Sequence, residues 1–189
     1  MQQLLIDYIK GIITVTDEEL ATILACFKPM EVEKNELLVM HGQTSQRTYF
    51  VGQGCLRIFF ITEDGQEATR YIAFENNFAT CLSSFIAKAP SLEFVQALVP
   101  SSILYITHKD FYHLLELIPS WEKFYRHYLE KAYVNNTNRL MSFLTLDAKE
   151  RYRQLLDTNP EIVQRLSNKI VATYLNISQE TLSRLKSKR

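Results

Sequence analysis

Residues 168–187 hold the side chains best suited to a recognisable chemistry: Asn168-Lys-Ile-Val-Ala-Thr-Tyr-Leu-Asn-Ile-Ser-Gln-Glu-Thr-Leu-Ser-Arg-Leu-Lys-Ser187. A helix beginning after Ser178 leaves Gln179, Glu180, Ser183 and Arg184 on its exposed side. These are the types that read base edges: arginine can fork onto guanine, glutamine can pair with adenine, and glutamate can accept from cytosine. Lys169, Ser178, Thr181 and Lys186, with the terminal Lys188 and Arg189, are of types that bond phosphates. Together they suit recognition of double-stranded DNA.

Such side chains need a two-helix scaffold to present them. A helix-turn-helix requires a small residue where its helices touch, a residue tolerant of left-handed backbone in the turn, and apolar inner faces. Ala172 supplies the small contact and Asn176 the turn. Val171, Leu175, Ile177, Leu182 and Leu185 supply the inner faces. Asparagine replaces the usual turn glycine, which it can do because its short side chain bonds locally. An ordinary helical hairpin with a solvated basic tail is the plainer reading of the same residues.

The charge distribution agrees with the first reading. The 189 residues carry 21 basic and 21 acidic side chains, so the whole molecule has no electrostatic pull toward nucleic acid. Residues 147–189 alone carry nine basic and five acidic side chains, and residues 1–146 the opposite imbalance. The basic part is the part with the base-reading residues.

Upstream, the pattern changes twice. Residues 2–27 read as helical, with a capping box from Thr16 to Glu19 starting a second helix and Pro29 closing the region. From Met30 to about Ile106 come short β-rich runs: Leu37–Met40, Thr48–Val51, Leu56–Ile61, Thr69–Phe74, Phe94–Val99 and Ile103–Ile106. Four of the five glycines fall between residues 42 and 65, where tight turns separate these runs. The spacing predicts an antiparallel sandwich, jelly roll or small barrel.

Asp110–Leu117 returns to helix, and Pro119 takes the first position of another. No glycine or proline interrupts the chain from there to Leu146, which allows a helix of about 40 Å. One stripe along it is Trp121, Tyr125, Tyr128 and Ala132. A second is Leu129, Tyr133, Asn136, Leu140 and Phe143. One stripe can cover the β-domain while the other meets another copy of the chain, or both can pack within one subunit. A second capping box, Asp147 to Glu150, ends the long helix, and Asn159-Pro160 marks the next turn.

This order of β-domain, long helix and C-terminal helix-turn-helix resembles the cyclic-AMP receptor and fumarate-nitrate regulator (Crp/Fnr) superfamily across nearly the whole chain. Ile177-Ser-Gln-Glu-Thr-Leu-Ser-Arg-Leu185 is similar to the recognition-helix motif of those regulators. Tyr49-Phe-Val51 followed by Gly54, Leu56, Arg57, Asp64-Gly65 and Glu67 resembles their β-roll pattern. The resemblance implies an α+β fold: a jelly-roll-like antiparallel β-roll with flanking helices over residues 1–117, a dimerisation helix over 118–146 and a helix-turn-helix domain over 147–189. It also implies a homodimer paired through residues 119–146 on a pseudo-palindromic operator; RNA polymerase is a further candidate partner, and scattered cysteines make a reducing cytoplasm the default location.

Three sensor types of that superfamily lack their residues here. Cyclic-nucleotide binders use a Phe-Gly-Glu segment for the ribose and an Arg-Ser or Arg-Thr pair for the cyclic phosphate. Cys81 falls where the glutamate should be and Ser91 where the arginine should be. A phosphate is expected to meet no guanidinium and to be repelled by Glu93, so cyclic AMP is not expected. An iron–sulfur cluster needs about four clustered thiolates, and only Cys26 lies near the N-terminus. His41, His108, His113 and His127 are haem ligands by type alone. The expectation is no cofactor and no metal.

Another small molecule could occupy the β-roll against Thr80, Cys81, Ser83 or Ser84, with Asn136 or Thr137 reaching in from the long helix. A regulator without an effector fits the residues equally well. Three scattered cysteines argue against a disulfide framework, and no apolar run reaches the length of a membrane span. No nucleophile elbow, phosphate loop or metal-ligand pair points to an enzyme. The expected function is therefore sequence-specific transcription regulation. The alternative is a ligand sensor whose output is a protein contact.

Overall fold

The computed structural model describes residues 1–187 and is α+β. It opens with α1 (Gln2–Lys10) and α2 (Asp17–Cys26). The second is started by the expected box: Thr16 Oγ accepts from the N–H of Glu19, and the Glu19 carboxylate accepts from the N–H of Thr16 at 2.8 Å.

Eight strands follow: β1 (Lys28–Val32), β2 (Leu37–Val39), β3 (Arg47–Gln53), β4 (Leu56–Ile61), β5 (Glu67–Ala73), β6 (Phe78–Ala79), β7 (Phe94–Ala97) and β8 (Ser101–Thr107). They form two four-stranded sheets, ordered β1-β8-β3-β6 and β2-β7-β4-β5, with every pairing antiparallel. Val51, Leu56, Ile58, Val95 and Ile103 fill the space between the sheets. The chain passes from one sheet to the other at Gly54, whose positive φ and closeness to Ser101 leave no room for a Cβ.

Two strands depart from the sequence expectation. Pro29 does not close a helical region but sits inside β1, because β1 is a sheet edge where a residue without an N–H costs no ladder bond. Phe78–Ala79 is a two-residue strand, too short to leave an alternating pattern. A short helix, α3 (Leu82–Ala87), was likewise not expected.

Phe50 points out of the β-roll and joins a second core with Leu5, Ile9, Ile23, Phe78, Phe111, Trp121 and Phe124. This core packs α1, α2, α4 (His108–Leu117) and the start of α5 onto one sheet. It explains why β3 is buried along almost its whole length: both its faces are covered. α5 (Pro119–Thr145) is 27 residues long, with Pro119 in its first turn. It stops where Asp147 and Glu150 cap α6 (Ala148–Thr158) through mutual bonds of 2.8 and 2.9 Å.

The remaining helices are α7 (Pro160–Arg165), α8 (Asn168–Leu175) and α9 (Gln179–Ser187). Their apolar faces share a third core with the β-roll: Ile72, Phe74 and Leu98 meet Tyr152, Leu155, Val171, Leu175 and Leu182. The C-terminal helices are therefore seated on β5 of the β-roll.

Candidate nucleic-acid interface and effector cleft

α8 and α9 form the helix-turn-helix. Ser167 Oγ accepts from the N–H of Ile170 and starts α8. Asn176 ends it in the left-handed region at φ 52°, and the N–H of Ile177 bonds back to the carbonyl of Ala172 at 3.1 Å. Ser178 Oγ then accepts from the N–H of Thr181 at 3.1 Å and starts α9. Val171, Ala172, Leu175 and Leu182 are buried on the inner faces, with Ile177 and Leu185 half-buried at the margin.

The base-reading candidates all face solvent: Gln179, Glu180, Ser183 and Arg184 are exposed on the outer side of α9. Of the phosphate candidates, Lys169 and Ser178 are exposed and Thr181 is half-buried, its hydroxyl 3.0 Å from that of Ser178. Lys186 Nζ donates to Asn168 Oδ1 at 2.6 Å, tying the end of α9 to the start of α8. Lys188 and Arg189 lie outside the described residues.

Three polar connections seat this unit on the rest of the chain. Thr173 of α8 and Thr69 of β5 share a hydroxyl–hydroxyl bond of 2.7 Å. Arg139 of α5 donates to the carbonyl of Thr69 at 2.7 Å and to that of Tyr174, and its guanidinium lies over the Tyr174 ring at 4.0 Å. Burial pulls the Arg139 pKa down from its ordinary value. Arg165 grips Glu75 on the segment after β5.

A cleft runs between the β-roll and α5, with Tyr8 of α1 forming part of its wall. Arg70, Tyr71, Phe78 and Thr80 line it from the β-roll, and Tyr128, Lys131, Asn135 and Asn136 from α5. Arg70 is bound bidentately by Glu93 and also donates to Asn136 Oδ1 at 3.3 Å. Arg70 reaches Glu93 from a strand that sequence spacing did not connect with this region. Burial pushes the Tyr71 phenol up to about 12 and raises that of Tyr128 as well, so both are hydroxyl donors at neutral pH.

The expected effector residues separate into two groups. Thr80 and Asn136 line the cleft. Cys81, Ser83, Ser84 and Thr137 do not. Cys81 is buried in the core between the sheets, and burial pushes its thiol up to about 11. Ser84 is buried and committed to the N–H of Ser45 and the carbonyl of Ala89. Ser83 and Thr137 are exposed to solvent. Side chains that line the cleft without having been singled out for it include Tyr8, Arg70, Tyr71, Tyr128, Lys131 and Asn135; Tyr128 and Ala132 carried a sequence signal, as members of one stripe of the long helix. Among the described residues, no His, Cys, Asp or Glu side chains cluster in a way that could hold a metal ion. Among the described residues, no helix is long and apolar enough to cross a membrane.

Residues 29–117 match the cyclic nucleotide-binding domain family. Solved structures match over most of the chain. The c-di-GMP responsive global regulator CLP of Xanthomonas campestris is 18% identical with a TM-score of 0.73, over 92% of this chain and 91% of its own. FixK2 of Bradyrhizobium japonicum is 14% identical with a TM-score of 0.74, over 86% and 83%. A transcriptional regulator from Eubacterium rectale assigned to the crp/fnr family is 12% identical with a TM-score of 0.72, over 90% and 82%. The chain has the Crp/Fnr fold. No curated protein matches its sequence.

Within the Crp/Fnr fold this chain keeps the β-roll, the long helix and the helix-turn-helix. Ser91 is buried with its hydroxyl bonded to the carbonyl and N–H of Glu93, which ends any role as a free phosphate donor.

Proposed function

We propose that this chain is a sequence-specific DNA-binding transcription regulator, acting in the cytoplasm as a homodimer, with an effector site in the cleft between β-roll and long helix. The observation that carries the reading is the division of α8 and α9 into two faces. Every apolar residue of the hairpin turns inward, while the side chains of Gln179, Glu180, Ser183 and Arg184 stand in solvent and make no hydrogen bond or ion pair among the described residues. A hairpin that served only to pack would have no use for four base-reading side chains on one exposed face.

The dimer rests on α5. Tyr133, Leu140 and Leu144 are 73%, 58% and 70% exposed on that helix, and Val134 and Met141 lie beside them. Apolar side chains at this spacing are suited to a second copy of the same helix, which would set two recognition helices on successive turns of DNA. Cyclic AMP is not the effector in this reading, because Cys81 and Ser91 are buried where a ribose and a phosphate would need partners. Free cysteines at 26, 55 and 81 suit a reducing compartment.

The test is selection of genomic fragments by the purified chain at near-physiological salt. The expected result is enrichment of an inverted repeat with half-sites about one helical turn apart. A folded dimer that enriches no sequence, with or without ligand, would overturn the reading.

A further inference from the structure

The cleft between β-roll and long helix holds a combination of groups that narrows what it can bind. Its wall is aromatic: Tyr8 meets Phe78 edge to face at 5.5 Å, and Phe78 meets Tyr128 at 6.0 Å. Such rings favour a flat, aromatic body. Its charge is small and of one sign. Arg70 and Lys131 are the charged residues lining it, and Arg70 is cancelled by Glu93, whereas Lys131 forms no ion pair among the described residues. It also offers unused hydrogen-bond donors. The hydroxyls of Tyr8, Tyr71 and Tyr128 make no hydrogen bond to another described residue, and each phenol can donate to an acceptor-rich group.

A phosphodiester with a nucleoside attached would need a guanidinium or several amide donors and a polar sugar pocket, and Arg70 is not free to supply the first. A single carboxylate needs one cation and one or two hydroxyl donors, which Lys131 and the phenols provide.

Resting on the effector-site part of the function proposed above, we infer that the cleft takes a monocyclic aromatic carboxylate, its ring against Phe78 and Tyr128 and its carboxylate on Lys131. The site also has a route to the DNA-binding helices. Arg70 and Tyr71 follow Thr69 on β5, and Thr69 is the residue that bonds both Arg139 of α5 and Thr173 of α8. A ligand pressing on β5 and α5 therefore acts next to the junction that seats the helix-turn-helix.

The experiment is titration calorimetry on the full chain with benzoate, phenylacetate, benzamide and cyclic AMP, repeated on Lys131→Gln and Tyr128→Phe. Lys131 is exposed, so its replacement leaves the fold unchanged. Benzoate or phenylacetate is expected to bind with a Kd of about 0.1–1 mM, the range open to so small a ligand. Benzamide, which keeps the ring and loses the charge, and Lys131→Gln are each expected to weaken binding about tenfold or more; Tyr128→Phe weakens it by less. No binding of either acid up to about 10 mM, binding unchanged in Lys131→Gln, or cyclic AMP binding more tightly than both acids would each overturn the inference. A chain that selects an inverted repeat but ignores both acids loses this inference and keeps the regulator reading. A chain that binds them but selects no DNA does the reverse.

Discussion

Arg165 of α7 reaches back 90 residues in sequence to bond both carboxylate oxygens of Glu75, at 2.7 and 2.9 Å. The same carboxylate accepts the N–H of Gly54 at 2.9 Å, at the point where the chain changes sheets. One acidic side chain therefore ties the helices before the helix-turn-helix to the hinge of the β-roll. The pair is partly exposed, which limits its worth in water but leaves its geometry fixed by three bonds.

That bonding sets a pH dependence. The Arg165 guanidinium beside Glu75 holds its carboxyl down at about 2, below the ordinary 4.5. The unfolded chain then binds a proton that the folded chain refuses, so stability contributed by the pair is present above the unfolded value and is lost as pH falls toward 2. Glu75→Gln is expected to flatten the fall in stability between about pH 5 and 3. Urea melts across that range check it; an unchanged slope would show that other carboxylates govern the acid limb.

Arg184 stands exposed in the centre of the outer face of α9. Arg184→Ala is expected to cost about 1–3 kcal/mol of operator binding and to relax preference at one base pair per half-site. Fluorescence anisotropy on single-base operator variants measures both. Equal losses on all sequences would reassign Arg184 to a phosphate contact.

Lys169, at the start of α8, is exposed and makes no ion pair in the described structure. Lys169→Ala is expected to weaken binding to all sequences alike and to lower the slope of log affinity against log salt by roughly 1. An unaltered slope would place Lys169 away from the DNA backbone.

Leu140 and Leu144 stand largely exposed on α5. Leu140→Asp with Leu144→Asp is expected to give a folded monomer by sedimentation, with helix content kept. Affinity for an inverted repeat should then drop by roughly a hundredfold or more, as the two recognition helices no longer bind together. A variant that stays dimeric would move the interface elsewhere.

Arg139 is half-buried among Thr69, Tyr174 and Phe143, and serves two carbonyls from one guanidinium. Arg139→Ala is expected to lower stability by about 1.5–3 kcal/mol, the usual cost of losing hydrogen bonds from a charged donor. Because Arg139 bridges α5, β5 and α8, protease cutting between residues 145 and 167 should speed up more than cutting within the β-roll. Uniform cutting would mean that Arg139 stabilises the molecule without seating the helices.

Much of this was legible from order and spacing. The two capping boxes at Thr16 and Asp147, the left-handed Asn176 and the run from Leu56 to Ile61 all stand where residue types placed them. Each depends on partners within four residues or on a period of two or 3.6, so local chemistry suffices to specify it. Pro29 and Phe78–Ala79 were not legible as strands, since an edge strand and a two-residue strand exist only by virtue of the neighbours they pair with.

The sequence by itself determined the helix-turn-helix, because its turn, its caps and its two faces are all written within twenty consecutive residues. Only the tertiary structure decided the cleft. Tyr8, Arg70 and Lys131 come from a helix, a strand and a second helix far apart in the chain, and Glu93 meets Arg70 only once two sheets have closed. The same closure buried Cys81 and Ser84, which spacing alone had placed at the ligand. A local pattern records which way a side chain leaves its own strand or helix. It does not record what packs on the other side, and for a site between elements that is what decides the chemistry.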